Sequence, residues 1–143
     1  MGSSTSYFYH PPNPFFASIR GGMYQYKVIV VSGNILPNGE SLEINLRAGT
    51  DIAFHFKALF DEKYVVRNSQ IRGSWGREET DPPGSMLLIP GQSFTVQITC
   101  EPTCYRVTVN DQHPLTYEHR LTDFPSIGHL EVTGDVMLTY VQC

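Results

Sequence analysis

Short runs in which apolar and polar residues alternate recur along most of the chain. In DIAFHFKALF at 51–60 the even positions Phe54, Phe56, Ala58 and Phe60 share one side and His55, Lys57 and Leu59 the other, the period of two that an extended strand imposes. Further runs are KVIVVSG at 27–33, SLEINLR at 41–47, KYVVRNSQI at 63–71, SFTVQITC at 93–100, CYRVTVND at 104–111, HLEVTG at 129–134 and DVMLTYV at 135–141. Helical periodicity is absent, and the runs recur at the roughly 8–12-residue spacing of a sandwich. Between them, Pro37-Asn38-Gly39, Ala48-Gly49-Thr50, Pro82-Pro83-Gly84 and Pro90-Gly91 supply the fixed or unusual dihedrals of turns. The pattern predicts an all-β fold of two packed antiparallel sheets, with the phenylalanines of 51–60 in the core. His55 and Lys57 then project together onto a sheet face open to solvent.

Composition sharpens this picture at a few points. The 143 residues suit one domain, long enough to bury roughly 70% of the surface of its unfolded form. Eight Tyr and eight Phe stand against a single Trp, a bias that suits pleated surfaces. Residues 1–13 are rich in Ser and Pro without any period and read as a flexible leader, leaving 14–143 as the folded domain. A net charge of −4 with no run of Lys or Arg gives no field for a phosphate backbone, so nucleic acid is not an expected partner. No apolar stretch approaches the ~20 residues that span a bilayer, so no membrane insertion is expected. The first residues lack the charged and apolar regions of a signal peptide, which points to synthesis in the cytosol. Three cysteines form no disulfide framework, and reduced thiols are the expectation. The alternative, in an oxidising setting, is a bridge between Cys100 and Cys104 across the turn Glu101-Pro102-Thr103.

Trp75 lies in Arg72-Gly73-Ser74-Trp75-Gly76-Arg77-Glu78-Glu79, too glycine-rich and charged for a core strand. An exposed indole suits the C–H face of a pyranose, attracted to the negative face of the ring. The competing reading is a tryptophan plugging one end of the sandwich. Glu78 and Glu79 supply acceptors and Asn68 both a donor and an acceptor, the mixture that sugar hydroxyls need. Against this, paired carboxylates beside Arg77 also describe an ordinary solvated loop. Strict alternation would face Trp75 and Glu78 apart, so a turn or bulge at Gly76 is required to bring them together.

HFKALF at 55–60, VVRN at 65–68 and WGREE at 75–79 resemble, in order and spacing, the three blocks of the galectin sugar site, written HFNPRF, VxN and WGxExR. FTVQITC, YRVTVN, Tyr117-Glu118-His119-Arg120 and LEVTGDVMLTYV resemble the remaining strands of the family, so the likeness covers 14–143, and is greatest to the C-terminal domain of tandem-repeat galectins. It implies a jelly-roll sandwich of the galectin and concanavalin kind, a lectin for galactose-containing glycans of the β-galactoside type, and action in the cytoplasm or, after leaderless release, outside the cell. Pairing into a homodimer through sheet edges or N-terminal strands is also implied, with Phe15-Phe16 serving either core or interface. By the same resemblance His55 bonds the axial 4-hydroxyl of galactose, Asn68 and Glu78 hold the 6- and 4-hydroxyl side, and Trp75 stacks beneath the ring. Selectivity beyond galactose would come from neighbouring strands, through residues such as Asn45 and Arg47.

Three positions depart from the motifs: Lys57 replaces an asparagine, Leu59 the arginine of HFNPRF, and Thr80 the final arginine of WGxExR. A charged hydrogen bond of the kind Leu59 cannot make contributes ~1.5–3 kcal/mol, a roughly 10- to 150-fold effect on affinity. Lys57, on the same face, offers a cation to Glu78 or to a hydroxyl but not the bidentate fork. Two readings follow: a lectin of weakened or altered preference acting through His55, Lys57, Asn68, Trp75 and Glu78, or a galectin-related module without sugar binding that acts through protein contacts. An enzyme is not expected, nor a metal or cofactor. A cupin-type centre needs His-x-His on one strand face, yet the i+2 partner of His55 is Lys57, and His10, His113, His119 and His129 are scattered.

Overall fold

Alternation in the sequence becomes alternation in burial. The computed structural model describes residues 5–82 and 88–143. Its strands β3 (Val28–Ile35) and β9 (Ser93–Cys100) bury every second residue along their whole length. Such strands must lay their apolar side on another layer, and two antiparallel sheets do so. The six-stranded sheet runs β1-β13-β3-β9-β10-β11, where β1 is Tyr7–Tyr9, β10 Cys104–Val109, β11 Gln112–Glu118 and β13 Val136–Gln142. The facing sheet runs β2-β12-β4-β5-β6-β7, with β8 also paired to β6. Here β2 is Phe15–Ser18, β4 Ser41–Ala48, β5 Asp51–Leu59, β6 Tyr64–Ile71, β7 Ser74–Trp75, β8 Glu79–Thr80 and β12 His129–Gly134. This is the two-sheet jelly-roll sandwich that the sequence predicts.

The core is built where the alternation says. Phe54, Phe56, Ala58 and Phe60 are sealed, opposed by Val96, Ile98, Tyr105 and Val107 of the other sheet. Phe54 stacks on the Tyr105 ring at 4.8 Å and meets Tyr117 at 5.0 Å. Each such side chain contributes roughly 1.5–3 kcal/mol by leaving water. On β5 the register slips against both neighbours near Ala53. Around this bulge Ile52, Ala53, Phe54, His55 and Phe56 form a run of five consecutive buried residues. The Ala53 carbonyl accepts from Ser69 Oγ at 2.8 Å, and that oxygen also bonds the Tyr117 hydroxyl at 2.6 Å.

One expectation needs adjustment. The leader does not extend over 1–13: Tyr7–Tyr9 pairs with β13, Ser6 exchanges backbone hydrogen bonds with Cys143, and Asn13 Nδ2 donates to the Gly134 and Val136 carbonyls. Three residues are too few to display a period, but Phe8 packs edge-on against Phe15 at 5.1 Å, and that contact ties the segment down. Phe15 is core, whereas Phe16 is 61% exposed and stacked on His129. Cys100 and Cys104 are both free thiols. Cys100 pairs with Tyr105, both pointing inward, so Cys104, next to Tyr105, projects to the opposite face. Of the turn at 82–84, Pro83 and Gly84 lie outside the described residues.

Candidate functional site

The open face of the seven-stranded sheet is organised in rows. Residues directly opposite one another share a face, and one row crosses five strands as Phe16, Glu131, Asn45, His55 and Asn68. Beyond Asn68 the sheet ends in a tight hairpin whose two loop residues, Arg72 and Gly73, have φ of 53° and 78°. Two positive φ values in a two-residue loop give the twist that matches the strands. The Arg72 amide is fixed by Asp51 Oδ1 at 2.9 Å. The hairpin carries Trp75 back opposite Gln70 on the edge strand, which no further strand among the described residues covers.

Trp75 is 49% exposed, with its ring centroid 4.8 Å from that of His55. It does not plug the sandwich. His55, Val66, Asn68, Trp75, Gly76 and Glu78 line a shallow open groove of about 370 Å³, within the range that holds one small ligand. Trp75 and Glu78 reach the same groove because the edge breaks at 76–78. Gly76 still donates its N–H to Ser69 O, but pairing with β6 resumes only at Glu79 opposite Arg67. An extra residue is accommodated there, as the sequence requires.

The polar groups are more constrained than their types suggest. Asn68 Nδ2 donates to Gly76 O at 2.9 Å, and Asn68 Oδ1 accepts from the Ser69 amide at 2.7 Å and from Arg120 Nη1 at 2.9 Å. With both Oδ1 lone pairs engaged, Asn68 offers a ligand one remaining N–H rather than a donor and an acceptor. The two glutamates separate: Glu78 lies exposed on the groove, while Glu79 turns away and takes Arg120 Nη2 at 3.0 Å. His55 is nearly covered, its Nδ1 2.7 Å from Asn45 Oδ1 and 3.6 Å from Glu43 Oε2. Burial lowers its pKa and outweighs the rest, with Glu43 and Glu78 pulling it up and Lys57 and Arg47 pushing it down. Lys57 does not line the groove; it stands two pairs further along β5, opposite Val66 and Glu43, and acts on His55 through its charge. Leu59 is further still, opposite Tyr64 and Ser41.

Arg120, just after β11, is the residue that local pattern misses. It sits over the Tyr117 ring and donates to Asn68, to the Arg77 carbonyl and to Glu79. A guanidinium thus reaches the loop whose motif ends in Thr80 instead of arginine. No residue pattern around 120 signals this, because the partners are brought together only by packing. Among the described residues no group of His, Cys, Asp or Glu could hold a metal ion.

Residues 14–143 match the family model described as galactoside-binding lectin. The chain belongs to the galectin family. It is 38% identical to galectin-4 of Sus scrofa over 136 residues, 94% of this chain and 42% of that protein. It is 39% identical to galectin-4 of Homo sapiens over 140 residues, again 94% of this chain and 42% of that protein. The chain therefore spans about four-tenths of the length of these curated relatives. Sheep galectin-11, solved in complex with glycerol, superposes with a TM-score of 0.80 at 30% identity, covering 93% of this chain and 99% of the other. A Caenorhabditis elegans galectin, LEC-6, shares the fold with a TM-score of 0.83 at 24% identity, over 94% and 93% of the two chains. Galectins are β-galactoside-binding lectins rather than enzymes, and this chain accordingly carries a carbohydrate-binding domain of that family.

Proposed function

We propose that the groove binds the galactose unit of β-galactoside glycans. Trp75 stacks on the apolar face of the ring, and His55, the free Asn68 N–H and Glu78 take its hydroxyls, with the axial 4-hydroxyl at His55. The observation that carries this reading is the half-exposed indole in one groove with all three polar residues. Lys57 tunes the charge on His55 from outside the groove instead of touching the sugar. Because Leu59 brings no guanidinium to this face, the affinity is low for a site of this kind. Methyl β-galactoside and methyl β-glucoside differ only at the 4-hydroxyl, so calorimetric titration with both is the test. Saturable heat with the galactoside alone is expected; equal heats, or none, overturn the assignment of His55.

Leu59 favours a second reading. A partly buried apolar side chain on the open face, where the motif carries arginine, suits a protein partner better than a hydroxyl-rich ligand. On that reading no glycan binds and the module acts through protein contacts. Binding of any galactoside on a glycan array rules it out. In either case the proposed setting is the cytoplasm or the cell exterior.

A further inference from the structure

Beside the groove, the polar atoms of one row define one another in sequence. Asn45, 3% exposed, lies between Glu131 on β12 and His55 on β5. One end of its amide is 2.9 Å from Glu131 Oε1 and 3.3 Å from Glu43 Oε2. Carboxylates only accept, so that end is the NH₂. Arg47 Nε donates to the same Glu131 oxygen at 3.0 Å. Burial pushes the Glu131 carboxyl up, but the hydrogen bonds from Asn45 and Arg47 and the Arg47 charge outweigh it and hold its pKa below the ordinary value. Glu131 therefore stays an acceptor at neutral pH.

The other end of the Asn45 amide is then the carbonyl oxygen, an acceptor only, and it is 2.7 Å from His55 Nδ1. Nδ1 must carry the hydrogen. Groups facing His55 come from every neighbouring element: Glu43 and Arg47 from β4, Lys57 from β5 and Glu78 from the segment 76–78, with Glu131 reaching it through Asn45 and uncharged Asn68 and Trp75 completing the shell. Their balance leaves the ring neutral at pH 7, since burial dominates. In a neutral imidazole with hydrogen on Nδ1, Nε2 is a bare lone pair. No described residue hydrogen-bonds Nε2, and the ring lines the groove.

We propose that Asn45 is a positioning residue that fixes His55 as the Nδ1–H tautomer, so that the groove presents a lone pair, not an N–H, to its ligand. This deepens the sugar-binding reading and rests on it: the hydroxyl recognised at His55 must donate. That hydroxyl can accept in turn from the remaining Asn68 N–H. An analogue that only accepts at this position, such as one carrying fluorine, is refused.

The decisive experiment is ¹⁵N NMR of the histidine rings in the protein without sugar, at neutral pH, for wild type and Asn45→Leu. The expected result is a neutral His55 protonated on Nδ1 in wild type, changing in Asn45→Leu to the Nε2–H form that free imidazole side chains favour. A wild-type ring protonated on Nε2 overturns the proposal, and does so whether or not the variant folds. An Nδ1–H ring in both proteins removes the positioning role from Asn45. A second arm compares lactose with 4′-deoxy-4′-fluoro-lactose, fluorinated on its galactose unit, by calorimetry. Wild type should bind the fluoro sugar roughly tenfold or more weakly, the scale of one lost hydrogen bond to a buried polar group, and Asn45→Leu should narrow that ratio. Equal binding of both sugars by wild type contradicts the proposal. Absence of lactose binding would instead contradict the sugar reading, while the NMR arm still decides the tautomer.

Discussion

Arg120 Nη1 donates to Asn68 Oδ1 across 2.9 Å, joining positions 52 residues apart. The same guanidinium holds the Arg77 carbonyl at 2.7 Å and Glu79 at 3.0 Å, so one side chain fixes both the orientation of the Asn68 amide and the course of the segment that carries Glu78. An arginine from outside the three sugar-site motifs thus braces the loop from beneath.

Arg120→Ala should therefore weaken both fold and site. It strands Asn68 Oδ1 without its charged donor, a loss of about 1–3 kcal/mol for a partly exposed guanidinium. At a few degrees per kcal/mol for a domain of this size, calorimetry should record a fall in Tm of roughly 3–10 °C. Lactose affinity should drop with it. Arg106→Ala, which removes only the exposed pair with Glu101, should change stability by less than about 1 kcal/mol.

Gly76→Ala probes the same contact from above. A Cβ at this position would meet Arg120 Nη1 at 2.7 Å and Asn68 Oδ1 at 3.3 Å. The end of an arginine can move aside, so folding should survive with a loss of about 1–2 kcal/mol. The displaced guanidinium should nevertheless release Asn68 and lower lactose affinity several-fold. Unchanged lactose binding in the variant would mean that Asn68 does not depend on Arg120.

How far these features could be read from sequence depends on their range. The strands β9 and β12 coincide with the runs at 93–100 and 129–134, because a period of two is written locally. The break at Gly76 was required by the parity of Trp75 and Glu78 alone. β1 was hidden: three aromatic residues flanked by Ser and Pro have no period, and Phe8 is held by Phe15 across a turn. Arg120 and the orientation of Asn45 were also hidden, since both are set by cross-strand partners that only packing brings into reach. Lys57 shares the face of His55 by alternation, as expected, but alternation cannot say how far along the strand the groove extends.

Acidification should destabilise the fold in two stages. His55 has a folded pKa below its ordinary value near 6.5, so the unfolded chain binds its proton first and stability falls as pH drops through and below that value. Glu131, also lowered from 4.5, contributes stability that is present above 4.5 and is lost as pH falls through its lower folded value. Urea unfolding between pH 7 and pH 3.5 should show both declines. His55→Gln should flatten the first without touching the second.

Leu59→Arg combined with Lys57→Asn restores the motif residues on the open face. A charged hydrogen bond of ~1.5–3 kcal/mol corresponds to a gain in lactose affinity of roughly 10- to 150-fold. Calorimetric titration of the double variant beside wild type measures it. No gain would mean that Arg120 already supplies what the motif arginines provide.

Because Trp75 is the single tryptophan, its fluorescence reads the groove without any label. Titration with lactose should give a saturable spectral shift, absent with maltose and absent in His55→Ala. An emission spectrum that lactose leaves unchanged up to high millimolar concentration would contradict galactoside binding at this groove.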